Sequence, residues 1–127
     1  MKPFTLFLIK CNNCPAISQL HLRVDKLNKL ENIDRNLEFI KTRMSKITAN
    51  ECEILRSLIN SLKDIDCYTL ENEDLNDIEK EKQLVKLYDF LLSNEVVEGL
   101  LVCKICGVKY KIKDSIADFI NYECEEQ

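Results

Sequence analysis

Tryptophan is absent from this 127-residue chain, histidine occurs once, and glycine and proline occur twice each. With so few flexible or kinked positions, the sequence reads as ordered and helix-rich, not as a linker or a low-complexity segment. A lone histidine cannot build a two-histidine metal site. His21 falls on the polar side of an alternating stretch, where a surface residue is expected. No apolar run approaches the roughly 20 residues of a membrane span. The run over residues 4–9 is too short for a signal peptide, and no small-residue cleavage site accompanies it. Glycine-rich nucleotide loops and nucleophile elbows are missing as well. Carboxylates are plentiful but scattered over helix faces, so nothing points to catalysis. The net charge of −4 argues against a protein whose main task is gripping phosphate backbones.

What the chain does have is cysteine. Seven occur, and four stand in two CxxC pairs near opposite ends, Cys11 with Cys14 and Cys103 with Cys106. Each two-residue spacer lets both sulfurs of a pair reach one ion, so the four thiolates can surround a single Zn2+ tetrahedrally. Gly107, directly after the second pair, supplies the positive-φ turn that follows a metal knuckle. A site of four cysteines is closed: no coordination position remains for water or substrate, so the metal is structural. Zinc contributes on the order of 10–16 kcal/mol of apparent binding free energy. Closing the long loop between the pairs costs far less, since closure entropy grows only as roughly (3/2)RT ln n. A thioredoxin-type redox site is the rival reading. It wants its CxxC at a helix N-terminus, whereas Cys103 and Cys106 lie between two β patterns. Cys52, Cys67 and Cys124 lack paired spacing and read as buried or incidental thiols. Without secretion, this cysteine usage implies a reducing compartment, the cytoplasm or nucleus.

Periodicity supplies the rest. Residues 4–10 suit a short helix or a strand equally. Leu20, Leu22 and Val24 alternate with polar residues as a half-buried strand, and residues 28–36 are polar and turn-prone. Leu37, Ile40, Met44 and Ile47 recur at helical spacing. Thr48 and Glu51 then form a capping box ahead of the stripe Leu55, Leu58, Ile59 and Leu62. Leu75, Ile78, Leu84, Leu87, Tyr88 and Leu91 mark a longer helix, with a solvated interruption at 79–82 and an end at Ser93 and Asn94. Residues 96–102 predict a strand. Val108, Tyr110 and Ile112 alternate with Lys109, Lys111 and Lys113 as another, and a turn at 114–115 leads to a last apolar segment. The expected fold is α+β: a zinc-centred small antiparallel sheet formed by both termini, residues 1–33 plus 94–127, with a helical insertion at 34–93 whose stripes pack on one another. Lys104, Lys109, Lys111 and Lys113 make a basic stripe, read as a solvated face that discourages edge aggregation or as a phosphate-contacting patch.

The segment VEGLLVCKICGVKYKIKDSI over residues 97–116 resembles the end of a small zinc-binding activator subunit of eukaryotic and archaeal tRNA, rRNA and release-factor methyltransferases, the multifunctional methyltransferase subunit family. That family's pattern runs roughly EG-x-L-x-C-x-x-C-G-x-x-Y-x-I-x-x-G-I-P-x-L-L. The apolar segment entering Cys11, the stretch Leu37-Glu38-Phe39-Ile40 and residues 70–75 match in the same order. Ser115 and Ala117 stand where the family usually has Gly and Pro, and its common central tryptophan is missing. No ligand is lost. The resemblance implies a non-catalytic subunit that binds and solubilises methyltransferases acting on a release-factor glutamine, on tRNA and on rRNA. It implies a heterodimer in which S-adenosylmethionine belongs only to the catalytic subunit, with RNA contacted at most indirectly and no membrane. The partner surface is expected on the strand with Val108, Tyr110, Ile112 and Lys113, whose edge can take a strand from a second protein. Beyond it, Ile116, Phe119, Ile120 and Tyr122 offer apolar area, and Phe4 and Phe39 extend the patch, since the resemblance places their segments beside the metal module. A zinc-ribbon nucleic-acid-binding protein is the alternative reading.

Overall fold

The computed structural model describes residues 1–14, 20–31, 34–77 and 80–123, and the side chains of all of these except 77 and 120–123. A 3-10 turn, Pro3–Phe7, opens the chain, with proline at its start where a missing N–H leaves no bond unmade. The order is then β1 (Leu20–Lys29), α1 (Leu37–Ser45), α2 (Ala49–Leu62), a second 3-10 turn (Asn72–Asp77), α3 (Glu81–Leu92), β2 (Asn94–Cys103), β3 (Lys109–Lys113) and β4 (Ile116–Glu123). The strands make one antiparallel sheet in the order β1-β2-β3-β4. The architecture is α+β, as the pattern predicts. β1 extends to Lys29, into the stretch read as a turn, because Asn28 and Lys29 pair with Glu95 and Asn94 of β2. Cross-strand bonding outweighs polar composition there.

Helix starts follow side-chain chemistry. The Asn36 side chain accepts from the Phe39 amide at the start of α1. Thr48 and Glu51 form both halves of the capping box on α2, and Glu51 also pairs with Arg43 of α1. α3 begins only at Glu81, so the longer helix anticipated from Leu75 is two pieces. Asp74 caps the first piece: its carboxylate accepts from the Glu71 amide at 3.0 Å, satisfying a free donor at the start of the 3-10 turn. Ile78 and Glu79 lie outside the described residues. α3 ends at Ser93, whose Oγ donates to Asp89 Oδ1 at 2.8 Å while Arg35 clasps the same carboxylate. Asn94 is fully buried with three satisfied bonds, donating to Phe90 O and Tyr68 O and accepting from the Tyr68 amide. Three polar residues, Asp89, Ser93 and Asn94, survive buried in this junction because each is paired.

One apolar cluster runs from the sheet (Leu22, Leu101, Tyr110) into the helices (Ile40, Leu55, Leu62, Leu87, Phe90) and includes Cys11 and Cys103. α1 packs on α3, but α2 lies against β1 and α3 against β2. The helical stripes therefore use the sheet as their floor instead of closing only on one another. Gly99 is what lets β1 and β2 meet at the irregular register after Val24: a Cβ there would sit 2.3 Å from the Arg23 carbonyl oxygen. Among the described residues, no helix is long and apolar enough to cross a membrane.

Candidate metal centre and its surroundings

Each cysteine pair sits in a backbone loop shaped to converge its sulfurs. Cys14 N–H donates to Cys11 O at 3.2 Å. In the second knuckle Gly107 N–H donates to Cys103 O and Cys103 N–H to Val108 O, both at 2.9 Å, with Gly107 at φ 78°. That knuckle is the turn joining β2 to β3, not a helix N-terminus, so it lacks the dipole a redox pair would use. The pairing of Leu20 with Cys103 sets the start of β1 beside it. The four sulfurs of Cys11, Cys14, Cys103 and Cys106 all lie within 4.8 Å of one another, and Cys11 Sγ is 3.6 Å from Cys106 Sγ. Tetrahedral metal–sulfur bonds of about 2.3 Å imply sulfur separations of about 3.8 Å. The donors fit one ion.

Electrostatics points the same way. Burial, the largest influence on Cys11, pushes its thiol up. Hydrogen bonds from Tyr110, the Asn13 backbone and the neighbouring thiols outweigh it and bring Cys11 down to about 7. Cys14 is pushed up to about 12 by burial and by the sulfurs of Cys106 and Cys103. Cys11 is shifted toward the thiolate while Cys14 and Cys106 are shifted away from it, a conflict that a shared cation removes. An all-sulfur donor set suits a soft or borderline ion and disfavours magnesium or calcium. Behind the sulfurs, Tyr110 Oη is 3.3 Å from Cys11 Sγ and accepts from the Asn12 amide at 2.9 Å. Its phenol is raised to about 12, by burial first and then by Cys11. Asn12 Nδ2 donates to Phe119 O at 2.9 Å, tying the first knuckle to β4.

The residues of the anticipated partner surface lie in different surroundings. Val108, Tyr110 and Ile112 are buried, Tyr110 completely. β3 lies between β2 and β4 and has no free edge. Its alternation sends the apolar side chains into the core and the lysines outward. Phe4 is buried too, meeting Phe7 and Phe39 edge-on at 5.6 Å. Phe39 (42% exposed) and Ile116 (70% exposed) do reach the surface, as does Lys113. Phe119 is half-buried with its ring 4.8 Å from that of Tyr110. Ile120 and Tyr122 belong to β4, an outer strand of the sheet, but their side chains lie outside the described residues, as does all of Cys124. Leu8 and Ile105 are further exposed apolar residues; an apolar side chain flanking a cysteine knuckle was their only sequence signal. His21 is not an open surface residue: α2 covers β1, placing Nδ1 3.2 Å from Ser57 Oγ, and burial followed by Lys104 lowers its pKa. Cys52 and Cys67 are half-buried free thiols. Lys109 and Lys111 pair with Val102 and Leu100 of β2, and Arg23 pairs with Leu100 from the other side, so their side chains share one sheet face.

Sheet, helices and sulfur cluster together define a small α+β protein in which four cysteines, two from near each end of the chain, are gathered so that they could hold one metal ion. The chain belongs to the multifunctional methyltransferase subunit family of trm112 proteins. It is 30% identical over 118 residues to the multifunctional methyltransferase subunit trm112 of Schizosaccharomyces pombe, covering 91% of this chain and 88% of that protein. The corresponding subunit of Neurospora crassa is 36% identical over 45 residues, 35% of each chain. A chain in the solved E. cuniculi Mtq2-Trm112 complex, responsible for the methylation of the translation termination factor eRF1, superposes with a TM-score of 0.77 at 32% identity. That likeness covers 99% of this chain and 100% of the other. No family model matches the sequence.

Proposed function

We propose that this chain is a non-catalytic activating subunit of S-adenosylmethionine-dependent methyltransferases that modify components of translation. The observation that carries the reading is its full-length likeness to a chain solved in a Mtq2-Trm112 complex. A release factor is the substrate class that this relative supports; tRNA and rRNA enter on the family resemblance. Cys11, Cys14, Cys103 and Cys106 hold one Zn2+, which keeps the two chain ends together and takes no part in methyl transfer. S-adenosylmethionine belongs to the catalytic partner. Docking uses the outer strand β4, which among the described residues has β3 on one side only and can add a partner strand on the other. Phe39 and Ile116 supply apolar anchors, each contributing roughly 1.5–3 kcal/mol when fully buried. The cytoplasm and nucleus, with their reducing chemistry, suit free thiolates.

The test is co-expression of a methyltransferase partner with the wild-type chain or with Phe39→Asp and Ile116→Asp combined. Phe119→Asp is less informative, since Phe119 packs against Tyr110 behind the cysteine cluster. The double variant should keep one zinc per chain but lose co-purification and methylation of the release factor. Undiminished co-purification and methylation would show that docking lies elsewhere.

A further inference from the structure

Tyr110 is fully buried among the largest side chains of the core, and a buried phenol needs partners for its hydroxyl. Among the described residues, two are Cys11 Sγ at 3.3 Å and the Asn12 amide at 2.9 Å. A backbone N–H can only donate, so it occupies one lone pair of Oη and turns the hydroxyl hydrogen away from itself. A ligating cysteine sulfur is a thiolate without a proton. Of the two groups, only the phenol then has a hydrogen to give. We propose that Tyr110 is a positioning residue of the metal site, its hydroxyl donating to the Cys11 thiolate and aimed there by the Asn12 amide. The inference rests on the metal reading above and adds to it a named donor outside the ligand set.

The arrangement has two consequences. Four thiolates on a divalent cation carry a net double negative charge, and a donor to one sulfur draws off part of it. The same bond holds the Cys11 side chain in its ligating position, as partners beyond the ligands commonly do in metal sites. Cys11 is thus held more firmly than the half-exposed sulfurs. Cys14 and Cys106, both half-exposed, open first toward chelators.

Tyr110→Phe keeps the ring and removes one oxygen. In the full chain it should transfer zinc to a chromophoric chelator about tenfold faster, the lower end of the effect of such partners. It should also shift the thiolate-to-metal charge-transfer band of the Co2+-loaded protein. Ile112→Val, on the same strand and also buried, perturbs packing alone and should leave both readouts at wild-type values. A wild-type transfer rate with an unshifted band in Tyr110→Phe would overturn the proposal, as would equal acceleration in Ile112→Val. If Tyr110→Phe does not fold, the wild-type chain loaded with 113Cd decides: a proton–cadmium correlation should connect the metal to the Tyr110 hydroxyl through Cys11 Sγ, and its absence overturns the assignment. A wild-type chain that takes up neither zinc nor cadmium removes the metal reading itself, and the proposal with it.

Discussion

Asp114 and Ser115 both adopt positive φ, 52° and 67°, which makes the connection between β3 and β4 a two-residue turn of the type I′ kind. For a serine this left-handed conformation costs roughly 1–2 kcal/mol, whereas aspartate tolerates it better through local bonding. Ser115 stands where the family pattern has glycine. The backbone is otherwise well used: Ser115 N–H donates to Val97 O at 3.0 Å and its carbonyl accepts from Met1 N at 2.6 Å. Both bonds survive a change of side chain. Ser115→Gly should therefore stabilise the protein by about 0.5–1 kcal/mol, after allowing for the greater freedom of glycine in the unfolded chain. Urea denaturation checks this; an unchanged midpoint would mean the serine conformation carries no strain. At this scale the sequence told its story unevenly. The turn at 114–115 was readable from residue type alone. The place of Tyr110 was not, because alternation sorts side chains onto two faces without saying whether neighbouring strands leave an edge free.

Between elements, the link from α1 to α2 shows how far local signals reach. Thr48 and Glu51 are three residues apart, so their capping box is visible in the sequence. Arg43 meets Glu51 across a turn between helices, eight positions away, and only the packed structure brings them together. The Arg43 guanidinium holds the Glu51 carboxyl below its ordinary range, with burial opposing and the Thr48 amide assisting. A depressed folded pKa gives stability that is complete above the ordinary carboxylate value and lost as pH falls through the depressed one. Glu51→Gln keeps the shape of the cap but loses the ion pair. It should cost about 1 kcal/mol at pH 7, and the gap to wild type should narrow as the pH drops below about 4. Denaturation at pH 7 and pH 3 measures it; an equal gap at both would assign the loss to something other than charge. The contacts of Asp74 were illegible for a related reason. Asp74 bonds its own neighbourhood at Glu71 and also meets Lys86 of α3, and apolar spacing records neither bond.

For the whole molecule, the decisive feature is that Cys11 and Cys103 belong to the same apolar cluster as the helices. Metal removal should therefore not strip the sheet from an intact helical unit. Titrating the zinc-loaded chain with a strong chelator should erase sheet and helix signals in the far ultraviolet in one transition. Persistence of the helical signal after the sheet is lost would show the insertion to be an independent unit. Both cysteine pairs, the capping box, the alternating strands and the end of α3 were determined by the sequence alone, because each is a relation over a few residues that backbone geometry turns directly into shape. The closure of the four sulfurs into one cluster, the covered position of β3, the helices standing on the sheet and the phenol behind Cys11 were decided by tertiary structure. Tyr110 and Cys11 are 99 residues apart in the chain. Contacts at that distance depend on strand order and register, which are settled only when the whole core closes and no local pattern carries them.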